Sequence, residues 1–178
     1  MSVLAERLLA IDRALDEAGV AHAFGGAIAL AYCTEEPRGT RDLDVNVFVP
    51  PARAGAVLAA LPTGVSVADA DVAAVRRDGQ VRLWWEDTPV DVFFNVDAFH
   101  DDVAADVRTV PFAGRDVPVL GCSSLAVFKV LCNRTKDWAD LEAMLDVDAL
   151  DRTVVVGWVS RLLGVDDHRT RRLLTLVE

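Results

Sequence analysis

Asp42 and Asp44 stand two residues apart at the head of an apolar run, behind Arg38, Gly39, Thr40 and Arg41 and, further back, the pair Gly25-Gly26. Paired carboxylates suit a divalent cation. Arginines and glycine N–H groups suit phosphate oxygens, so the grouping points to metal-assisted chemistry at a nucleoside triphosphate. From Asp42 to Val49 the chain alternates with period two, which predicts a strand with Leu43, Val45, Val47 and Val49 buried and Asp42, Asp44 and Asn46 on the opposite face. Carboxylates at i and i+2 lie roughly 7 Å apart and repel by about 2 kcal/mol at an effective dielectric constant of about 20. A bound Mg²⁺ reverses the sign of that term.

Mg²⁺ takes one or two protein carboxylates and fills its remaining positions with substrate phosphate and water, and a two-ion site needs a further acidic ligand. Asp91 is the best candidate. In Pro89 to Asn95, Val90, Val92 and Phe94 share one face and Asp91 lies on the other, while Val81 to Trp85 precedes it across Glu86-Asp87-Thr88 as the partner of a hairpin. Taken singly, an Asp-x-Asp is often a turn or cap, a Gly-Gly a tight turn and Asp91 an acid on an edge strand. Order and spacing together are much harder to obtain by chance.

A second segment carries Leu125-Ala126-Val127-Phe128-Lys129, then Arg134-Thr135-Lys136-Asp137-Trp138-Ala139-Asp140-Leu141. Lys129 and Lys136 are the only lysines of the chain, seven residues apart, two turns of one helix if that helix is continuous. An ammonium is a compact charge suited to a triphosphate, whereas arginine prefers planar, bidentate contacts. Asp137 and Asp140 fall on neighbouring parts of one helix face. Either can orient Lys129 or Arg134 or complete the acidic site, and Asp137 can equally cap the helix.

Gly25-Gly26, a short helix, Arg38-x-Thr40-x-Asp42-Leu43-Asp44 and the later strand Asp91 resemble the polymerase-β-type nucleotidyltransferase superfamily. With the second segment, residues 22 to 145 are most similar to the AbiEii-type nucleotidyltransferase toxins, whose helical Lys motif precedes an Arg-x-x-x-Arg-Asp-x-x-Asp-Leu type sequence. Lys136 stands where Arg is frequent there, and Ala27 where many relatives carry a serine beside Gly. The resemblance implies an α/β (α+β) minimal nucleotidyltransferase fold, a mixed sheet flanked by helices with a helical C-terminal half. It implies two Mg²⁺ ions on Asp42, Asp44 and Asp91, with an NTP as co-substrate. Gly25, Gly26 and Lys129 would hold the outer phosphates, with Arg38, Thr40, Arg41, Arg134, Lys136 and Asp137 around the substrate and Asp140 as a functional acid. It further implies transfer of a nucleotide to an acceptor hydroxyl, tRNA in such toxins, and a cognate antitoxin.

The elements that must position these residues are legible in outline. Leu4, Leu8, Ile11, Leu15 and Ala18 predict an amphipathic helix over residues 3 to 18, and Ala27 to Tyr32 predicts a short one. Helices are expected over 51 to 61, 123 to 132, 136 to 145, 151 to 163 and 166 to 177, with a hairpin over 107 to 119 broken at Gly114. This divides the chain into an α/β core, residues 1 to 120, and a helical region, 121 to 178, packed as one unit. With 178 residues, 52% of them apolar, the chain can bury one good core. No stretch is long and apolar enough for a membrane span, and the N-terminus lacks the order of a signal peptide, so a cytoplasmic protein is expected. Cys33, Cys122 and Cys132 are odd in number and form no Cys-x-x-Cys motif, so buried free thiols are expected.

The net charge of −10 opposes binding to RNA unless charges segregate. Arg38, Arg41, Arg76, Arg77 and Arg82 could form one basic rim, and Arg169, Arg171 and Arg172 another. Two competing readings follow: a small-molecule nucleotidyltransferase similar to the aminoglycoside and lincosamide resistance enzymes, and a catalytically silent module of the same fold that binds a partner protein.

Overall fold

Period-two alternation builds a mixed sheet of seven strands, and helices with a 3.6-residue apolar period close over it. The computed structural model describes residues 2–178. In chain order, α1 (Val3–Glu17) leads to β1 (His22–Phe24), α2 (Gly26–Thr34) and β2 (Leu43–Val47). A 3-10 turn at Pro51–Arg53 then precedes α3 (Ala54–Ala60), β3 (Val65–Ser66) and α4 (Asp69–Asp78). The hairpin β4 (Gln80–Trp85) and β5 (Thr88–Phe94) is followed by α5 (Phe99–Ala105) and a second hairpin, β6 (Arg108–Phe112) and β7 (Arg115–Val119). Four helices complete the chain: α6 (Cys122–Cys132), α7 (Thr135–Asp146), α8 (Arg152–Leu163) and α9 (His168–Val177).

The sheet runs β3-β4-β5-β2-β1-β7-β6. β2 lies parallel to β5 and β1 parallel to β7, while the other neighbours are antiparallel. Leu43, Val45, Val47, Val90, Val92 and Phe94 are buried on one face and join Leu8, Ile11 and Leu15 of α1 and Val57 and Leu58 of α3 in the core. Leu125, Val127, Val130 and Leu141 of the C-terminal helices belong to the same cluster. No helix among the described residues is long and apolar enough to cross a membrane.

Three sequence expectations need correction. Asp42 lies just before β2, which is shorter than the expected strand. The helix expected over 51 to 61 is divided, because Pro50 and Pro51 set a 3-10 turn before α3. The break expected between residues 132 and 136 is present: Asn133 adopts a left-handed conformation (φ 57) and its N–H donates to the Lys129 carbonyl, ending α6, so Lys129 and Lys136 sit on separate helices. Cys33 and Cys122 form a disulfide across a separation of 89 residues, and Cys132 is exposed. That pairing follows from the packing of α2 against α6, which brings the two Cα atoms to 5.6 Å and which no local spacing encodes.

Candidate active site

Where the open face of β2 and β5 meets α2, α6 and α7, the chain surrounds a cavity of about 640 Å³. Gly25, Gly26, Arg38, Thr40, Arg41, Asp42, Asp44, Asp91, Lys129, Arg134, Lys136 and Asp137 all line it. Asp140 lies behind this wall, 4% exposed.

Parallel register sets Asp44 of β2 directly beside Asp91 of β5, and antiparallel register sets Asp91 beside Arg82 of β4. Arg82 grips Asp91 with two hydrogen bonds, Nε to Oδ1 and Nη2 to Oδ2, each 2.7 Å. Asp42 accepts from the Thr40 hydroxyl. α2 begins against the same group: the Gly25 N–H donates to the Asp44 carbonyl at 2.9 Å, and a Cβ on Gly26 would lie 1.8 Å from Asp44 Oδ2. Gly26 also has φ +54, a conformation that glycine adopts without strain. The Gly25 N–H is thus committed to the backbone. No side chain caps the start of α2, and Gly26 and Ala27 line the cavity there.

The far wall is an ordered chain of charge. Lys129, 6% exposed, donates to Asp140 Oδ2 at 2.5 Å, and Asp140 also accepts from both Nη atoms of Arg38, so α6, α7 and the loop before β2 are tied together. Asp137 accepts from the Arg134 backbone N–H at 3.0 Å and from Nε at 2.7 Å and Nη2 at 3.0 Å of the same residue. These contacts separate the two acids: Asp137 caps α7 and holds Arg134, whereas Asp140 orients Lys129 and Arg38. Asp137 lies 3.9 Å from Lys129 Nζ.

Burial and the charges of Asp42 and Asp91 push the Asp44 carboxyl up to about 6, although Arg134 and Lys129 pull it down. For Asp42, burial raises the pKa, but the Thr40 hydroxyl, its own backbone N–H and the charges of Lys136 and Arg82 outweigh it and hold it below the usual carboxylate range. Burial likewise opposes the Asp137 charge, and the hydrogen bonds from Arg134 win, leaving its pKa lowered.

Among the described residues, no three metal-ligating side chains are already gathered about one point, with Asp42 held by Thr40 and Asp91 by Arg82. The donor chemistry nevertheless fits a hard divalent cation. Asp44 is destabilised as an anion by burial and then by its two carboxylate neighbours, and a cation among the three would relieve both.

No protein-family model matches the sequence, and no curated protein does. Solved structures do match. The solution structure of the antibiotic-resistance factor ANT(2'')-Ia superposes with a TM-score of 0.65 at 15% identity, over 94% of this chain and 97% of that one. The crystal structure of ANT(2'')-Ia in complex with adenylyl-2''-tobramycin gives 0.64 at 16% identity, over 90% of this chain and 99% of that one. An antigenic nucleotidyltransferase-like protein from Paracoccidioides brasiliensis gives 0.53 at 14% identity, over 98% and 88%. The chain has the nucleotidyltransferase fold.

Within the nucleotidyltransferase fold seen here, motif reasoning misses the cavity residues Phe93, Leu120 and Cys132, while Asn46, Leu125 and Phe128 belong to runs already singled out. Phe93 follows from the period that exposes Asp91, and Cys132 from its position one turn after Lys129. Leu120 carries no such signal, since it enters from the end of β7.

The expected basic rims are largely neutralised. Arg82 is paired with Asp91, Arg38 with Asp140, Arg77 with Asp78, Arg169 with Asp167 and Arg171 with Asp166. Arg172 instead stacks over the Trp138 ring at 4.2 Å.

Proposed function

We propose that the chain transfers a nucleoside monophosphate from an NTP to an acceptor hydroxyl. The observation that carries this reading is the meeting, in one cavity of a nucleotidyltransferase fold, of Asp42, Asp44 and Asp91 with Lys129, Arg134, Lys136 and the uncapped start of α2. Asp42, Asp44 and Asp91 would hold Mg²⁺, which neutralises charge on the phosphates and on the departing pyrophosphate. The N–H groups at the start of α2 and the cations of α6 and α7 hold the outer phosphates. Lys129 and Arg38 are fixed in direction by Asp140, and Arg134 by Asp137. The acceptor oxygen attacks the α-phosphorus in line, the bond from that phosphorus to the β-bridging oxygen breaks, and pyrophosphate leaves. The hydroxyl proton passes to a carboxylate, and Asp91, once Arg82 releases one of its oxygens, is the acid-strand group on the acceptor side.

The acceptor this surface favours is a small neutral or cationic molecule. A chain of net charge −10 in which half of the arginines are already paired with carboxylates offers little to a polyanion. A second reading, an AbiEii-like toxin acting on tRNA and restrained by an antitoxin, is favoured by the segment from Lys129 to Leu141. The test offers tobramycin and total tRNA to the protein with Mg²⁺ and each α-labelled NTP, with Asp44→Asn beside the wild type. Asp44-dependent label on tobramycin supports the small-molecule reading, and label on tRNA the toxin. Label on neither, with no nucleotide bound, favours a silent module.

A further inference from the structure

We infer that the open face of β4, centred on Trp84, is the acceptor subsite, where the sugar ring carrying the accepting hydroxyl lies against the indole. This rests on the transferase reading above and adds a place for the second substrate.

The direction of attack follows from the layout of charge. Groups suited to the outer phosphates come from α2, α6 and α7, which pack on one another and on the β2 side of the sheet. An in-line acceptor must approach from the opposite side of the α-phosphate. In sheet order that side is β5 and then β4, along the register row Asp44, Asp91, Arg82.

On β4 the face toward the core is closed and the other is open. Val81 and Leu83 are buried, whereas Gln80, Arg82 and Trp84 are exposed. Trp84 follows Arg82 on the same face at roughly 7 Å along the strand and lies opposite Pro89. It is 48% exposed and is the only aromatic among the exposed large hydrophobics of the described residues. Its neighbour Trp85 points the other way, toward Gly64 and Arg7. An indole left in water beside the carboxylate row offers a flat apolar platform, and its negative π-face attracts C–H edges and cationic groups. Arg82, 55% exposed at its side chain, can donate to ring hydroxyls from the same strand. The negative charge of the chain selects a neutral or cationic ring over a nucleic-acid strand.

The experiment labels the protein with 5-fluorotryptophan and follows its four tryptophans by ¹⁹F NMR, the Trp84 resonance being assigned with Trp84→Phe. Tobramycin is titrated in the presence of Mg²⁺ and a non-hydrolysable NTP analogue, and total tRNA is titrated separately. The expected result is a tobramycin-dependent shift of the Trp84 resonance. In transfer assays Trp84→Ala should raise the tobramycin KM roughly three- to tenfold, with the NTP KM unchanged and Trp84→Phe in between. A shift confined to the other tryptophans, no shift, a shift with tRNA alone, or an unchanged tobramycin KM overturns the subsite. Failure of the transferase reading is seen separately, as the absence of Asp44-dependent label from the wild type.

Discussion

A Cβ added to Gly26 would sit 1.8 Å from Oδ2 of Asp44, so the first residue of α2 and the central carboxylate of β2 occupy mutually exclusive space for any other residue. Glycine at the head of α2, ahead of Asp-Leu-Asp, is therefore a packing requirement in its own right. Gly26→Ala should displace the Asp44 carboxylate, lower stability by roughly 1 to 3 kcal/mol through the left-handed backbone and the clash, and abolish transfer. Gly157→Ala, within α8 and with open space around its Cβ, should raise stability by about 0.5 to 1 kcal/mol. Urea midpoints of the two variants check both signs.

Asp44 sets a pH dependence in chelator-treated protein. Its folded-state pKa is pushed up to about 6, by burial and then by Asp42 and Asp91, against an ordinary 3.8. The folded state therefore holds the proton more tightly than the unfolded one. The resulting stability is fully present below about pH 4 and is lost as pH rises through about 6, a fall on the order of 2 to 3 kcal/mol. Asp44→Asn cannot ionise and should lack this fall, making it more stable than the metal-free wild type at pH 8. Parallel pH profiles for the two proteins would refute the assignment.

Lys129 is buried against Asp140, which also receives Arg38. Asp140→Asn strips the ammonium of its nearest countercharge and should cost about 3 kcal/mol, because a buried charge is left without its partner. Combining it with Lys129→Met should recover much of that loss. A double-mutant cycle by urea denaturation measures the coupling, and additive effects would contradict it.

The disulfide between Cys33 and Cys122 ties α2 to α6 across 89 residues. Reduction, or Cys33→Ser, should lower stability by about 2 to 4 kcal/mol. Cys33→Ser with Cys122→Ser should cost no more than either alone. Thermal melts with and without dithiothreitol provide the comparison.

Asp42, Asp44 and Asp91 were legible because each breaks a period-two apolar run at an outward position, and the hairpin holding Asp91 is bounded by turn residues. Their mutual placement was not, since the parallel pairing of β2 with β5 joins strands separated by α3, β3, α4 and β4. Lys129 and Asp140 were visible as residue types. Their contact depends on the turn at Asn133, which lets α7 pack back against α6, and no local spacing encodes that packing. α4 and α5 left little trace in the sequence: α4 buries only Val75, and α5 is seven residues long. The disulfide was hidden for the same reason as the parallel pairing, because helix packing rather than spacing brings the cysteines together.

The most direct measurement compares NTP labelled at the α-phosphate with NTP labelled at the γ-phosphate, using wild type and Asp44→Asn with Mg²⁺ and the tobramycin and tRNA acceptors. The expected result is transfer of α-label with release of γ-label as pyrophosphate, lost in Asp44→Asn. Transfer of γ-label, or α-label transfer that survives Asp44→Asn, would contradict nucleotidyl transfer at this carboxylate site.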